Sequence, residues 1–355
     1  MFDYAITIME FKIKEYKPKE VPDDFWEGYF EFVESNWKET NPDDSLPNRE
    51  GIIQRQKADI PDLIVKRWLV YTPEGKIVGW AGFGVSEETA AEYEENKHIA
   101  NINLSVLKDY RRKGIGTELL KILVKEVQAH DRTTIELGTD QDSGKAFLEH
   151  YGAQLTIEGA ENRLELEDVD WELMQKWIDE GPKRAPSVTI EEFQNVCPEE
   201  ILDEFVEMYT EALNMQPLGE TERRANIDRR SWRKLEKRNK ETGQSAYAMY
   251  TREEDGSISG LTDIFYDPRN GDRLHQGLTG VRPKYRSRGL GKWLKAKMIF
   301  HIKENYPKVE RIITGNAESN EAMLSINKRM GFKKYRGGDG YKFKTENLVE
   351  KLKVK

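Results

Sequence analysis

Two segments of the chain carry the same arrangement of basic residues and glycines. They are NLSVLKDYRRKGIGTELL at 103–120 and LTGVRPKYRSRGLGKWLK at 278–295. Five pairs of identical residues match at a constant separation of 175 residues: Val106 and Val281, Tyr110 and Tyr285, Arg111 and Arg286, Gly114 and Gly289, Gly116 and Gly291. Glycines at the start of a helix let an anion approach the exposed backbone N–H groups, and nearby basic side chains add positive charge. One copy alone would favour a glycine-containing strand-to-helix turn with solvated basic residues, but two copies in the same context favour phosphate binding.

The same predicted elements surround both copies. Alternating apolar runs around a short turn predict β-hairpins, at 67–71 with 76–84 and at 245–251 with 257–266. Apolar residues at helical spacing follow each copy, and a strand, a helix and a last strand come next. Two helices are expected ahead of each hairpin, at 23–38, 47–60, 199–213 and 220–242. The chain therefore reads as a tandem repeat of one α/β (α+β) domain.

The boundary between the repeats is expected near the segment GPKRAP at 181–186, because two prolines and a glycine interrupt regular structure. A polar helix is predicted just before it, at 170–180. This division gives an N-terminal domain at 1–168, a helix and linker at 169–187, and a C-terminal domain at 188–355.

Composition excludes several classes of function. The chain has 355 residues and a formal net charge of −8, so we expect no broad attraction to nucleic acid or to anionic membranes. The chain has one cysteine and five histidines, so we expect neither a disulfide framework nor a metal catalyst. No signal peptide or apolar run of membrane-spanning length is found, which favours the cytoplasm. A dinucleotide-binding glycine motif is excluded because Leu294 stands at its third glycine position.

The pattern Val-x-x-x-x-Arg-x-x-Gly-x-Gly between a strand and a helix resembles the acetyl-CoA motif of the GNAT acyltransferases. NAESNEAMLSINKRMGF at 316–332 resembles that family's next motif. The resemblance covers both halves, is most specific in the C-terminal half, and weakens after Gly116 in the N-terminal half. It implies two tandem GNAT folds, each a mixed, mostly antiparallel central sheet flanked by helices.

The resemblance also implies which residues hold acetyl-CoA. In the C-terminal half, the strand residues Thr279, Gly280 and Val281 would pair with the acetyl carbonyl and the pantetheine. The pyrophosphate would lie against Arg286, Ser287, Arg288, Gly289, Leu290, Gly291 and Lys292. Asn316, Asn320 and Asn327 would bind the pantetheine or adenylate. Helix capping and turn formation are the alternative interpretation of these asparagines, and for Asn320 it is equally good. The N-terminal counterparts are Val106, Arg111, Arg112, Lys113, Gly114, Ile115, Gly116 and Thr117.

The implied reaction is direct transfer of an acetyl group to a primary amine, which needs a general base. An aliphatic amine is neutral in only roughly one molecule per thousand at pH 7. His275 is the first candidate for the base and Asp263 the second. An exposed histidine at the start of a strand and a plain carboxylate at the end of a strand are the alternative interpretations.

The family's usual acid, a tyrosine four residues before the last glycine of the second motif, is missing. Leu148 and Asn327 stand at those positions, so the group that protonates the leaving thiolate is not assigned. At the places that match Asp263 and His275, the N-terminal half has Gly82 and Ala100. We therefore expect catalysis in the C-terminal half.

The sequence thus predicts an acetyl-CoA-dependent N-acetyltransferase acting on a small molecule or peptide amine, as a monomer or homodimer. The acceptor wall is expected to come from the leading helices, which hold Trp26, Tyr29, Trp37, Tyr209 and Asn214. Two alternatives remain open at this point: a non-catalytic acyl-CoA-binding or scaffolding protein, and a transferase that uses a longer acyl-CoA.

Overall fold

A computed structural model describes residues 6–8 and 10–354. The chain divides into two compact units. Of the described residues, the first contains 6–8, 10–156, 220–223 and 340–354, and the second contains 157–219 and 224–339. Within the described residues, every helix is too short or too polar to cross a membrane.

The strands are numbered in chain order over the described residues. They are β1 (Ile6–Ile8), β2 (Phe11–Glu15), β3 (Leu63–Tyr71), β4 (Ile77–Ser86), β5 (Ile99–Val106), β6 (Thr134–Thr139), β7 (Gln154–Ile157), β8 (Gly159–Glu165), β9 (Thr189–Gln194), β10 (Ser245–Arg252), β11 (Ile258–Tyr266), β12 (Arg273–Val281), β13 (Arg311–Ala317), β14 (Lys333–Gly337) and β15 (Asp339–Lys344).

The helices are numbered in the same way. They are α1 (Phe25–Thr40), α2 (Arg49–Lys57), α3 (Tyr93–Asn96), α4 (Ile115–Ala129), α5 (Asp142–Tyr151), α6 (Trp171–Arg184), α7 (Leu202–Asn214), α8 (Arg229–Glu241), α9 (Leu290–Asn305), α10 (Glu321–Met330) and α11 (Thr345–Leu352).

The sheet of the first unit has the strand order β1-β2-β3-β4-β5-β6-β15-β7. Its hairpin β3–β4 and the pair β4–β5 are antiparallel, whereas β5 and β6 are parallel. The apolar face of α4 packs on this sheet through Leu119, Leu123 and Val127, which are fully buried. Residues of β15 and α11, from the far end of the sequence, belong to the same core.

The sheet of the second unit has the order β14-β8-β13-β12-β11-β10-β9. The antiparallel run β9–β12 is followed by the parallel pair of β12 and β13, as in the first unit. α9 packs on this sheet through Leu294, Met298 and Ile302. The prediction of two mixed sheets with flanking helices is confirmed.

The predicted hairpins, the helices after them and the glycines that end α5 and α10 are close to the observed elements. Gly152 and Gly331 have φ values of 82° and 108°, the left-handed conformation that glycine adopts without strain. The helix predicted at 220–242 is too long at its start, because α8 begins at Arg229. Residues 220–223 belong to the first unit instead.

The compact units also differ from the predicted domain boundaries. Residues 157–168 belong to the second unit, because β8 pairs with β13 and β14. In the segment 169–187, the helix predicted at 170–180 is present, but it is longer than expected, since α6 continues through Pro182 to Arg184. Gly181 explains why this helix stays packed: a Cβ there would lie 2.3 Å from the Trp293 ring of α9.

Candidate functional site

The parallel strands at the centre of the second unit pair over only three residues each. Arg273, Leu274 and His275 of β12 face Arg311, Ile312 and Ile313 of β13. Beyond His275 and Ile313 this ladder ends, although both strands continue. A cavity of about 240 Å³ lies there, lined by residues of β12 and β13 and of α7, α9 and α10. Strand edges that have lost their pairing partner offer backbone groups to an extended ligand.

A β-bulge in β12 borders this cavity. Thr262 of β11 pairs with Thr279, but Ile264 pairs with Gln276, so Gly277 and Leu278 both stand opposite Asp263. The Leu278 N–H donates to Asp263 Oδ1 at 2.6 Å. A Cβ on Gly277 would lie 2.4 Å from the same oxygen, which is why glycine occupies this position. The bulge therefore wraps backbone around one buried carboxyl group.

Asp263 lies within β11 and is only 3% exposed, so the interpretation as a plain strand-end carboxylate is wrong. Its Oδ2 accepts a hydrogen bond from the Tyr209 hydroxyl of α7 at 2.9 Å. Burial raises the pKa of Asp263 to about 7, and the hydrogen bonds from Tyr209 and Leu278 oppose that shift. Burial raises the pKa of Tyr209 well above its usual range. Because Tyr209 lines the cavity, the carboxyl group reaches the cavity through this hydroxyl.

Because the pKa of Asp263 is raised, the free energy of unfolding should fall as the pH rises. The folded protein holds this proton more tightly than the unfolded chain, whose aspartate titrates near 4. The resulting stability is present below about pH 4 and is lost as the pH rises through about 7. Relative to the Asp263→Asn variant, the wild type should lose about 4 kcal/mol of unfolding free energy over that range. Urea unfolding of both proteins at pH 5 and pH 8 measures about 3 kcal/mol of this loss, the part that falls above pH 5. Parallel changes in the two proteins would contradict it.

The cavity brings together most of the predicted pantetheine-binding residues. Thr279, Asn316, Asn320 and Asn327 all line it. Asn320 also caps α10, because its side chain accepts a hydrogen bond from the Met323 N–H at 3.3 Å. The capping interpretation is therefore correct for Asn320 and does not exclude ligand binding.

Asn327 has a different environment. Its Nδ2 donates to Asn316 Oδ1 at 2.8 Å, but its Oδ1 is buried and makes no hydrogen bond with any described residue. A buried acceptor without a partner is costly unless a ligand supplies the donor. An amide N–H of a ligand lying between β12 and β13 would meet that need.

The glycine-rich loop leads from β12 into α9. Ser287 and Gly289 have φ values of 66° and 84°, and α9 begins at Leu290. Arg286 Nε donates to the Val281 carbonyl at 3.2 Å, which ties the loop to the end of the strand. A Cβ on Gly291 would make only ordinary contacts, at 3.8 Å to Val281. A side chain at Gly291 would therefore not be crowded at the first turn of α9. The unpaired N–H groups of that turn suit an anion.

Three further residues of the strand and the glycine-rich loop have defined contacts. A Cβ on Gly280 would lie 2.6 Å from the Cβ of Ala212, so glycine lets α7 approach β12 closely. Arg288 forms an ion pair with Glu253 at 2.8 Å, on the hairpin between β10 and β11. Lys292 lies over the Trp177 ring, 5.8 Å from its centroid.

His275 lies apart from the cavity described so far. It is the third residue of β12, is exposed, and lines a larger cleft of about 470 Å³ with residues of β8 and β13. Glu161 of β8 lines the same cleft. The structure thus separates His275, on the larger cleft, from Asp263, which is connected to the smaller cavity through Tyr209.

The corresponding loop of the first unit has the same backbone but different contacts. Arg112 and Gly114 have φ values of 63° and 83°, and Arg111 Nε donates to the Val106 carbonyl at 2.9 Å. Arg111 also forms an ion pair with Glu39 at 2.7 Å. A Cβ on Gly116 would lie 3.2 Å from the Phe147 ring, so the first turn of α4 is more crowded than that of α9. Lys113 lies over the Tyr110 ring, Ile115 is buried, and Thr117 is hydrogen-bonded to Tyr151.

The bulge is missing from the first unit. The ladder between β4 and β5 runs without interruption from Gly79 and Val106 to Gly84 and Asn101. Asn101 and Glu136 end the parallel pairing, as His275 and Ile313 do in the second unit. The prediction that Ala100 corresponds to His275 is therefore wrong by one residue, because the bulge adds a residue to β12. Asn101 is the counterpart.

Residues 220–223 lie at this end of the pairing in the first unit. Arg223 donates to Glu136 at 3.2 Å and to Asn101 at 3.0 Å, and the Thr221 hydroxyl also donates to Glu136. Glu222 binds Lys344 of β15 at 2.9 Å and His98 at 3.1 Å. The pKa of Glu222 is lowered to about 2, and the hydrogen bond from Lys344 contributes most to this shift. The place that forms an open cleft in the second unit is thus bridged by hydrogen bonds in the first.

Sequence reasoning missed two groups of the second unit. Tyr209 was expected only as part of an acceptor wall, and Lys295 was not considered at all. Lys295 follows Gly291 by four residues and precedes Met298 by three, so it lies on the buried stripe of α9. A lysine at an apolar position of an amphipathic helix was the available signal. Trp26 and Tyr29, two of the three expected wall residues of α1, are buried in a core cluster of the first unit.

The comparison with known families agrees with this geometry. The model of the "Acetyltransferase (GNAT) family" matches residues 23–152 and 200–332. These two stretches cover most of both repeats, including both glycine-rich loops. No curated protein sequence matches the chain significantly.

Solved structures show the same fold. A tandem GNAT protein from the clavulanic acid biosynthesis pathway has a TM-score of 0.76 and 21% identity, over 95% of this chain and 99% of its own. A GCN5-related N-acetyltransferase from Sphaerobacter thermophilus has a TM-score of 0.64 and 14% identity, over 96% of this chain and 97% of its own. A fungal glucosamine N-acetyltransferase region, in a multi-domain GH3 β-N-acetylglucosaminidase, has a TM-score of 0.67 and 16% identity, over 96% of this chain and 39% of its own. With a family match over two stretches and a tandem arrangement of the fold, the chain belongs to the GNAT acetyltransferase family.

Proposed function

We propose that this protein is an acetyl-CoA-dependent N-acetyltransferase that acts on a primary amine of a small molecule or peptide, with the chemistry in the second unit. The observation that carries the proposal is the separation of β12 and β13 beside the bulge at Gly277 and Leu278. It creates a cavity next to a buried carboxyl group whose proton affinity suits neutral pH.

The residues around this cavity fit acetyl-CoA. Asn327 Oδ1 offers a buried acceptor to a pantetheine amide, and Asn316 is already oriented by Asn327 and Asn162. The loop from Arg286 to Lys292 offers the first turn of α9 and basic side chains to the pyrophosphate. Acetyl-CoA would supply the activated acetyl group, and these residues would hold and orient it.

Asp263 is the group best placed to accept the proton of the attacking amine. Tyr209 lines the cavity and donates to Asp263, so it can take a proton from the acceptor while it passes its own to the carboxylate. A base is most effective when its pKa lies near the working pH, and burial brings the pKa of Asp263 to about 7. His275 lines the larger cleft and remains the other candidate.

Two features of the first unit support placing the chemistry in the second. The first unit has no bulge between β4 and β5, and Gly82 stands where Asp263 does in the ladder. Residues 220–223 bridge Asn101 and Glu136 at the end of its parallel pair. The first unit thus has neither the base nor the open strand edges that the reaction requires.

Titration of the purified chain with acetyl-CoA by calorimetry should give one site per chain. Addition of primary amines, such as spermidine, tyramine, an amino sugar and a lysine-containing peptide, should then release CoA with at least one of them. The release is followed with a thiol reagent, and the same mixture without amine is the control.

Other results would favour the alternatives. Two acetyl-CoA sites per chain would contradict a closed first unit. Binding without release of CoA for any amine would favour a non-catalytic acyl-CoA-binding protein. Faster turnover with a longer acyl-CoA than with acetyl-CoA would favour a different acyl donor.

A further inference from the structure

Lys295 is a buried cation on the wall of the active-site cavity of the second unit. It projects from α9, is 2% exposed, and lines the same cavity as Thr279 and Asn327. Its Nζ donates to the Gln276 Oε1 at 2.6 Å. A lysine is almost never fully buried unless it is paired, and here an uncharged amide is the partner.

Gln276 connects Lys295 to the bulge. The Gln276 Nε2 donates to the Thr262 hydroxyl at 3.3 Å, and Thr262 is hydrogen-bonded to the Thr279 hydroxyl at 2.8 Å. Gln276 is also the first residue of β12 beyond the end of the parallel ladder. Lys295 is therefore held at the narrow end of the gap between β12 and β13.

The surroundings of Lys295 contain little that could neutralise its charge. β12, β13 and α10 contribute only uncharged side chains to the cavity lining, and the other titratable group there is Tyr209 from α7. The centroid of the Phe332 ring, just after α10, lies 5.3 Å from the Lys295 Nζ. Burial lowers the pKa of Lys295 to about 7, so the ammonium gives up its proton near neutral pH.

The proposed reaction needs an acid at this cavity. The C–S bond of the thioester breaks with its electron pair on sulfur, and the thiolate must then be protonated. Asn327 has no acidic proton, and the Tyr209 hydroxyl already donates to Asp263. Among the residues that line the cavity, Lys295 is the remaining group with an acidic proton.

We propose that Lys295 is the general acid of the acetyl transfer, delivering a proton from its ammonium group to the sulfur of CoA as the C–S bond breaks. This inference rests on the proposed function. The products of the step are CoA thiol and neutral Lys295, while the proton lost by the amine goes to Asp263 through Tyr209. After the products leave, Lys295 takes a proton from solvent and Asp263 returns one.

The test is the ionisation of the thiol of bound CoA, which needs no amine acceptor. CoA is bound to the wild type and to the Lys295→Met variant, and the ultraviolet absorbance of the thiolate is followed with pH. Methionine fills a similar volume without charge. A thiolate beside Lys295 favours the ammonium form of the lysine, because the opposite charges attract and the two groups titrate as a coupled pair. This pairing should let the thiolate form about one pH unit lower, or more, in the wild type than in the variant. Lys297→Met, at an exposed position of α9, is the matched control and should behave as the wild type.

Turnover gives a second readout. Lys295→Met should lower kcat about 100-fold or more with little change in affinity for acetyl-CoA, and should remove the fall of kcat above about pH 7.

CoA that binds both proteins with the same thiol pKa would overturn the role of Lys295 while leaving the proposed function intact. Failure of the wild type to bind CoA would overturn the proposed function, and this inference with it. Circular dichroism and the urea midpoint show whether the variant is folded, and Lys295→Gln replaces it if methionine is not tolerated.

Discussion

Replacing Asp263 by asparagine should lower kcat for acetyl transfer by about 10²–10⁴-fold and leave the affinity for acetyl-CoA almost unchanged. Asparagine keeps the shape of the side chain and can still accept the Leu278 N–H, but it cannot take a proton. The wild-type kcat should rise as the pH increases toward about 7, because the base must be ionised and burial raises its pKa to that value. Above that pH it should fall as Lys295 loses its proton. The variant should lose this rise. CoA release at saturating amine, measured from pH 5 to pH 9, checks both expectations.

Asp255→Asn is the matched control for this substitution. Asp255 is an exposed aspartate on the turn between β10 and β11, where it binds only Ser257. It should keep the wild-type kcat and pH profile. If Asp263→Asn did the same, the base would lie elsewhere, and loss of activity in His275→Gln would then identify the histidine on the larger cleft.

The Gly291→Glu variant should fold normally and bind acetyl-CoA about 100-fold more weakly, or worse. A Cβ at Gly291 meets only Val281 at 3.8 Å and Ile326 at 4.0 Å, so the backbone tolerates a side chain there. The new carboxylate would then stand at the first turn of α9, where the pyrophosphate is expected. Placing like charges together costs several kcal/mol, and each 1.4 kcal/mol is a factor of ten in affinity. Calorimetric titration with acetyl-CoA measures the loss.

Gly28→Glu provides the same chemical change at a site without a role. Gly28 lies in α1, is exposed, and has nothing within 4 Å of a built Cβ. It should bind acetyl-CoA as the wild type does. Unchanged affinity in Gly291→Glu would show that the phosphate groups lie elsewhere, with the loop of the first unit as the alternative.

The repeat and the elements around it could be predicted from the sequence, because their signals are local. The match between Arg111 and Arg286 and between the glycines that follow them located both strand-to-helix turns. Apolar spacing located α4 and α9. The asparagines 316, 320 and 327 were grouped by resemblance to a family motif, and the structure places all three on one cavity.

Other features could not be predicted because they depend on contacts distant in sequence. The bulge at Gly277 and Leu278 is invisible in an ungapped comparison of the repeats, and it shifted the counterpart of His275 from Ala100 to Asn101. The polar segment 220–228 is predicted as the start of a helix. Its Arg223 instead binds Glu136 and Asn101 in the first unit, a contact that the sequence does not reveal. Asp263 could be named, but its burial beside Tyr209 required the fold.

The order of the strands in the first sheet affects how that sheet forms during synthesis on the ribosome. β15 lies between β6 and β7 in the sheet but is synthesised long after them. The ends of β7 and β15, at residues 157 and 344, are 187 residues apart in the sequence. At typical synthesis rates this is an interval of roughly 10–40 s. During that time the first sheet has an open slot, whose unpaired backbone groups can recruit a strand from another nascent chain. Its completion must wait for residues 339–344, which are made after every strand of the second sheet, so the sheet that is begun first is completed last.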